Sequence, residues 1–365
     1  MKELKSIAFL VTDDNLSGGM NMVRAYAGYL AKVGHNVVFI AERCPASGTL
    51  VGLPCLTVSA ASRRTFDILV LTFWTLVFDL PFLHALKVVH FIQRLEYQPL
   101  RGSSAQLARK VLSLPMEIIA VSPDICDGLV WECSVLRDRI TLVRNGIEKS
   151  LYQTPPVCPK TDKAKFRVLV EGPIGVSFKG VLPAINAARK GGADEVFLLT
   201  STRIHAFPGV DKVFSHLPAE ECAAVYRSCD CLVKMSLSEG MCLPPLEMFH
   251  AGGTAVMYAL PAVMDYAEDS KNSLLIPVGD SEGIAAGVKR LKKNPELLAQ
   301  LRAGAGKTAE EWPSMEQSAA AFAQALLRPA PPMRQGLQAA LKILEQKLFF
   351  ASLFLKLKSR TRRML

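Results

Sequence analysis

Two carboxylates, Glu239 and Glu247, stand eight positions apart in the segment Ser236-Leu-Ser-Glu-Gly-Met-Cys-Leu-Pro-Pro-Leu-Glu-Met-Phe-His-Ala-Gly-Gly253. Pro244 and Pro245 have a fixed φ and no amide proton, so they suit the first turn of a helix, and Gly252 marks its end. Glu247 is then expected in that first turn. The amides of Gly240, Met241, Cys242 and Leu243 lie ahead of the helix with few partners of their own. Together with the positive end of the helix dipole they make a site for an anion such as a diphosphate. Each carboxylate is a charged acceptor for vicinal hydroxyls, so a sugar on one side and a ribose on the other would satisfy both. The plainer reading is a capped helix with a charged first turn. Hydrolysis by paired carboxylates is the competing chemistry, but it needs both groups across one glycosidic bond.

The elements that must position this segment alternate along the chain. In the amino half, Ser6 to Thr12 reads as a strand, Gly18 and Gly19 interrupt, Met20 to Val33 has helical periodicity, and Gly34 closes that helix before the strand Asn36 to Ala41. Apolar runs at Ile68–Leu71, Val88–Ile92, Ile118–Val121 and Ile140–Val143 are spaced for a parallel sheet with crossover helices. Pro155, Pro156 and Pro159 suit an interdomain linker. The pattern then restarts, with strands at Phe166–Val170, Glu195–Thr200 and Cys231–Lys234 and helices at Val181–Arg189 and Ala219–Ser228. Glu311 to Leu327 reads as a closing helix. The expected organisation is α/β, with a first Rossmann-like domain over 1–155, a second over 156–310, a closing helix over 311–330 and a tail over 331–365. Ligands of such folds bind in the crevice beyond the carboxyl ends of the strands, here between the two domains.

With these motifs in hand, the chain resembles the retaining glycosyltransferases of GT-B fold in family four, the glycosyl transferases group 1. The Glu-x7-Glu segment is similar to that family's Glu-Gly-Phe-Gly-Leu-Pro-x-x-Glu signature. Ser17-Gly18-Gly19 with Gly34-His35-Asn36-Val37-Val38 resembles its opening, Arg144-Asn145-Gly146-Ile147 its Pro-Asn-Gly-Ile/Val element, and Lys271-Asn272-Ser273-Leu274-Leu275-Ile276-Pro277 with Asp280 its Asn-Gly-x-Leu-x-x-Pro turn. The resemblance implies that Glu239 contacts donor-sugar hydroxyls, Glu247 the nucleotide ribose, and Gly18 and Gly19 the donor diphosphate. It also implies that Lys179, in Lys179-Gly180, neutralises the leaving diphosphate beside an Arg six positions earlier. That position is Pro173 here, and the bidentate fork of an arginine has no substitute in proline. Lys234 and Arg203 are alternative cations, each otherwise read as a solvated residue at a strand end.

Phe66-Asp67 to Trp74-Thr75 and Val88 to Tyr97 resemble elements of the family's rhamnosyltransferase-like branch, which makes Gln93 a catalytic candidate and Trp74, His90 and Glu96 acceptor-side candidates. His90 lies three residues inside its strand and reads as packed. The resemblance further implies attack by an acceptor hydroxyl on the face the nucleotide leaves, a phosphate oxygen taking the proton, and retention of configuration. No Asp-x-Asp is present, so no metal and no other cofactor is expected. The remaining readings are a nucleotide-sugar epimerase or phosphorylase of the same fold, and a non-catalytic glycan- or nucleotide-binding member.

Composition sets limits on all of this. Half of the 365 residues are hydrophobic and 21% are charged, a globular balance that excludes disorder as the main state. The longest apolar stretch, Ile68 to Phe78, falls short of the ~20 residues of a membrane span, and the short run after Lys2 and Lys5 is too brief for a secretory signal. Nine cysteines without regular spacing make a poor disulfide framework and agree with a cytoplasmic location; Cys229 and Cys231 lack further ligands for zinc. Gly304-Ala-Gly306-Lys307-Thr308 fails as a phosphate loop, because Leu301 stands at the first glycine's position and Asn294 to Arg302 reads as a helix.

The net charge is +10, but from Arg334 to Leu365 eight basic residues face Glu345 alone, so the basic balance is not a nucleic-acid footprint. In that tail Leu341, Leu344, Leu348, Ala351 and Leu355 form a helical seam, with Phe349, Phe350 and Phe354 off it. Basic and aromatic residues together favour an anionic membrane surface, with a partner helix on the seam or a frayed tail as the alternatives. The expected partners are therefore a nucleotide-sugar, a glycan or glycolipid acceptor and the inner face of the membrane, with a homodimer left open.

Overall fold

The alternating pattern folds into two parallel sheets in the computed structural model, which describes residues 3–12, 18–162 and 165–329. The tail singled out above lies outside the described residues. The first sheet is built from β1 (Ser6–Leu10), β2 (Asn36–Ala41), β3 (Thr49–Leu50), β4 (Leu53–Thr57), β5 (Thr65–Leu71), β6 (His84–Ile92), β7 (Glu117–Ala120) and β8 (Ile140–Leu142), in the order β3-β4-β2-β1-β5-β6-β7-β8. Only β3 runs antiparallel to its neighbour. Helices α1 (Gly18–Lys32), α2 (Val58–Ala61), α3 (Gly102–Leu112) and α4 (Pro123–Cys133) connect these strands. The chain thus lays strands outward from β1 on one side and then returns to β5 on the other, which creates a switch point between β1 and β5.

The second sheet repeats the plan without an antiparallel strand. It holds β9 (Arg167–Glu171), β10 (Glu195–Thr200), β11 (Lys212–Ser215), β12 (Cys231–Lys234), β13 (Thr254–Tyr258) and β14 (Ser273–Ile276), ordered β11-β10-β9-β12-β13-β14. Its crossover helices are α5 (Val181–Lys190), α6 (Ala219–Tyr226) and α7 (Leu243–His250), and α8 (Ser281–Lys293), α9 (Pro295–Glu311) and α10 (Met315–Leu326) follow the last strand. All five residues of β13 are buried, as expected of a strand covered by helices on both faces. The switch point here lies between β9 and β12, whose carboxyl ends are Glu171 and Lys234.

Two expected elements differ. The apolar run Ile68 to Phe78 is not one element: β5 ends at Leu71 and a 3-10 helix spans Trp74–Phe82 with Pro81 inside it. The closing helix does not begin at Glu311, which ends α9; Trp312 and Pro313 break the chain, and Ser314 starts α10 with a capping box to Gln317. The Gly304 to Thr308 run lies inside α9.

Helix α10 carries the chain back to the first sheet. Ile147 donates its amide to Pro313 O (3.2 Å), and Met315 donates its amide to Ile147 O (3.0 Å), so the end of the second sheet's helical layer is tied to the end of the first domain. Phe322, fully buried, stacks on Tyr26 at 4.7 Å between ring centroids and meets Phe91 edge-on at 5.1 Å. Aromatic contacts of this kind add to the area term of burial. Phe322→Ala is expected to cost about 3–5 kcal/mol of unfolding free energy, read by urea denaturation; a loss below ~1 kcal/mol would mean that α10 is not part of the first domain's core.

Candidate functional site

The site is organised by the turn after β9. Glu171 ends that strand, Gly172 and Pro173 leave it, and a 3-10 turn at Ser177–Lys179 delivers the chain into α5. Gly180 has φ +62°, and a Cβ there would lie 2.2 Å from Met235 O, so only glycine permits the close approach. Leu237 donates its amide to Phe178 O (2.7 Å), pinning the turn onto the loop after β12. The result places the Lys179 side chain over that loop, where its Nζ donates to both oxygens of Glu239 at 2.8 Å.

Lys234 completes the cluster. The sequence reading of a solvated residue at a strand end is corrected here: Lys234 is 3% exposed, because its strand ends inside the cleft between β9 and β13. Its Nζ donates to Glu171 Oε2 (2.6 Å) and Glu171 O (3.1 Å) and stands 3.8 Å from Glu239 Oε1. Burial alone would raise the Glu239 pKa; the Lys234 and Lys179 charges outweigh it and hold the carboxylate below its usual range. Burial likewise works against the Lys234 charge, and Glu171 and Glu239 overcome it, so its pKa is raised. Arg203, the other alternative cation, is exposed and points to His216 (3.3 Å), away from this cluster.

On the other side of the loop, Cys242 adopts a left-handed φ of +54° and α7 starts at Leu243, one residue before the proline pair. Glu247 therefore sits in the second turn rather than the first. Its Oε2 accepts a hydrogen bond from Tyr226 Oη (2.7 Å), and burial pushes its pKa up to about 7 against that bond. Among the described residues the amides of Gly240 to Leu243 have no acceptor. The loop's carbonyls, by contrast, are fixed: Ser122 Oγ donates to Gly240 O (2.7 Å) and Tyr266 Oη to Cys242 O (2.6 Å). Asn272 in turn donates to Tyr266 O (2.7 Å), which gives the Asn272 motif a structural role behind the loop. Met241 and Cys242 are buried at 3% and 5%, so the loop offers backbone donors rather than these side chains.

The facing wall comes from the first domain. A Cβ on Gly240 would lie 1.7 Å from Gln93 O, so the Glu239 loop and the loop after β6 touch backbone to backbone. Ser238 Oγ donates to Gln98 Oε1 (2.9 Å), and the Arg94 guanidinium lies over the Phe178 ring at 5.1 Å. Gln93 Nε2 donates to Gly19 O (3.0 Å); Gly18 and Gly19 are the first two residues of α1 rather than a break before it. Ser17 lies outside the described residues. Arg144 crosses between the domains with two bonds to Asp265 (2.6 and 2.8 Å), and Trp312 Nε1 donates to Asn145 O (3.0 Å).

The acceptor-side candidates are deeper than their sequence positions suggest. Trp74 is 5% exposed and donates its amide to Glu96 Oε2 (2.8 Å). Glu96 is 6% exposed, and burial pushes its pKa up to about 8. His90 is fully buried with both ring nitrogens lacking a partner; burial pulls its pKa down to about 4, so it is neutral. Glu96 and Trp74 thus brace the loop that bears Gln93, and His90 packs in the sheet. Cys229 and Cys231 are buried free thiols, and no cluster of three His, Cys, Asp or Glu suited to a metal occurs among the described residues.

Sequence reasoning missed Glu171, Tyr226 and Ser122. The only local sign of Glu171 is a charge closing an apolar strand, and its partner Lys234 is identified by strand order alone.

Residues 199–308 match the family described as glycosyl transferases group 1. Among curated proteins, none matches the chain. Solved structures that share the fold include HepE of Anabaena in complex with UDP-glucose, at 14% identity, covering 88% of this chain and 99% of that one with a TM-score of 0.71. Sucrose-phosphate synthase of Thermosynechococcus elongatus is 16% identical over 95% of this chain and 99% of its own, with a TM-score of 0.72. WaaG, a glycosyltransferase involved in lipopolysaccharide biosynthesis, is 13% identical over 88% of this chain and 100% of its own, with a TM-score of 0.70. The fold is GT-B, and the second domain carries the group 1 sequence pattern.

Two outcomes test the geometry. Gly240→Ala places a methyl group inside Gln93 O and should force the domains apart, seen as a larger radius of gyration by small-angle scattering with unchanged circular dichroism; an unchanged radius would refute the backbone contact. Glu247 is more easily protonated folded than unfolded, so the stability it contributes is complete below about pH 4.5 and is lost as pH rises through about 7. Unfolding measured at pH 5 and pH 8 should therefore show Glu247→Gln gaining stability relative to wild type at the higher pH. An equal difference at both values would rule out the raised pKa.

Proposed function

We propose that this GT-B chain of the glycosyl transferases group 1 type is a retaining, metal-independent glycosyltransferase that moves a sugar from a nucleotide-sugar to a growing surface polysaccharide or lipid-linked glycan. The observation that carries the reading is the pair of glutamates flanking the unpaired amides of Gly240 to Leu243, at a switch point that faces the first domain. Unpaired amides ahead of a helix favour an anion, and Lys179 adds a full charge beside them. The HepE structure holds UDP-glucose, which supports a nucleotide-sugar donor, and WaaG is involved in lipopolysaccharide biosynthesis, which supports a surface glycan as acceptor.

In this reading the diphosphate lies on those amides and on Lys179, Glu247 accepts from the ribose hydroxyls, and Glu239 accepts from the sugar hydroxyls. The acceptor approaches from the first-domain wall beside Gln93. The bond from the anomeric carbon to phosphate oxygen breaks, the bond to the acceptor oxygen forms on the same face, and a phosphate oxygen takes the acceptor's proton. Stabilising the charge that develops on the leaving diphosphate is the protein's main task, and the fixed amides do so without reorganisation. No helix among the described residues is long and apolar enough to cross a membrane, and the basic tail is assigned to peripheral docking at the inner face.

Incubation with a panel of UDP-, GDP-, dTDP- and ADP-sugars and a membrane glycolipid fraction tests the proposal. Nucleoside diphosphate should be released only when the acceptor is present. Glu247→Ala and Lys179→Met should each lower that release by about 100-fold or more. Wild-type rates in both variants would overturn the site, and binding of a nucleotide-sugar without release by wild type would identify a binding module instead.

A further inference from the structure

The site has a charge problem that Lys179 alone does not solve. Among the described residues its carboxyl groups are Glu171, Glu239 and Glu247, the last with its pKa pushed up to about 7; its ammonium groups are Lys179 and Lys234, and the Arg94 guanidinium stands over the neighbouring Phe178 ring. A diphosphate entering this partly dry crevice adds at least two negative charges, and an uncompensated anion there is costly. Pro173, on the turn after β9, brings neither a charge nor an amide proton.

Lys234 is placed to supply the missing cation. It ends β12 beside the end of β9, at the switch point where ligands of this architecture sit. Of its three donors, two are taken by Glu171, whose carboxylate and carbonyl keep the ammonium charged and aimed. The third is left for the Glu239 side, where Oε1 stands 3.8 Å away. Gly172, which has no side chain, lies directly beside that ammonium: a Cβ there would be 3.8 Å from Lys234 Nζ. Glu239 meanwhile uses both oxygens on Lys179. A single carboxylate therefore lies between two ammonium groups, which is the position and the charge that a phosphate group requires.

We infer that Lys179 and Lys234 together form the clamp for the leaving diphosphate, and that the Glu239 carboxylate holds the phosphate's place while no donor is bound. The inference rests on the reading of the chain as a nucleotide-sugar transferase. When donor enters, phosphate oxygens take over the two ammonium groups and the freed Glu239 turns to the sugar hydroxyls. When the nucleoside diphosphate leaves, Glu239 returns to the lysines and assists its release.

Isothermal titration of UDP, GDP, ADP and dTDP against wild type identifies the diphosphate that binds. Lys234→Met should then weaken that diphosphate at least tenfold, as Lys179→Met should, and Lys234→Arg should restore most of the loss. Glu239→Gln should act in the opposite direction, tightening the bare diphosphate several-fold while lowering turnover of the nucleotide-sugar, a change of sign that a merely structural Glu239 would not give. Because Lys234→Met strands Glu171, the paired variant Glu171→Gln/Lys234→Met, which removes both buried charges, carries the test if the single variant does not fold. Unchanged diphosphate affinity in a folded Lys234 variant, or weaker binding by Glu239→Gln, overturns the clamp and leaves the transferase reading intact. If wild type binds none of the four diphosphates, the transferase reading itself falls.

Discussion

Charge buried at the end of a strand must be balanced by charge from somewhere else in the chain. Glu171, Lys234, Lys179 and Glu239 come from the ends of two strands and from two turns, and none is balanced by a neighbour in sequence. Burial works against the charge on Glu239 and on Lys234 alike, and in each case the opposite charges beside it outweigh burial. The cluster consequently fixes where the turn after β9 lies relative to the loop after β12, and so where the unpaired amides of Gly240 to Leu243 point. An ion cluster of this kind is a weak source of stability. Its value lies in specifying one geometry where the ends of β9 and β12 meet.

Around that cluster the loops are held from behind rather than by their own contacts. Asn272 holds Tyr266, Tyr266 holds Cys242, and Ser122 reaches across from the first domain to Gly240. The carbonyls of the loop are spent on these bonds and its amides are left over, which is the arrangement an anion site requires. At Gly240 the two domains meet backbone to backbone, against Gln93, with Ser122, Ser238 and Arg94 crossing beside that contact. The same contact makes the site sensitive to how the domains sit: any relative movement changes the distance between the Glu239 loop and the first-domain wall beside Gln93. Arg144 with Asp265, and the strap from Pro313 to Met315 across Ile147, are further ties between the domains that limit that movement.

Much of the frame was legible because parallel strands covered on both faces are uninterrupted apolar runs, and glycines and prolines punctuate them. Asn36–Ala41, Glu195–Thr200 and Cys231–Lys234 have the limits their apolar runs suggest. The readings that moved did so for local reasons. Trp74 to Phe82 is apolar enough to extend β5, but it turns into a 3-10 helix whose first amide is held by Glu96, more than twenty residues on. The proline pair correctly marked the start of α7, but the left-handed Cys242 begins it one residue early and moves Glu247 up a turn. Lys234 looked solvated because a lysine ending a strand usually is, and only its neighbours β9 and β13 bury it.

What the sequence determined by itself is the alternation of elements, the two-fold repeat of the strand-helix plan, and the Glu239 to Glu247 loop with its prolines and glycines, since each depends on interactions within a few residues. What only the tertiary structure decided is the charge pairing of Lys179 and Lys234 with Glu239 and Glu171, the bond from Tyr226 to Glu247, and the meeting of Gly240 with Gln93. Those depend on strand order and on the placement of one domain against the other. Sequence spacing does not encode such distances directly, because residues on different strands and loops become neighbours only when the sheets have formed.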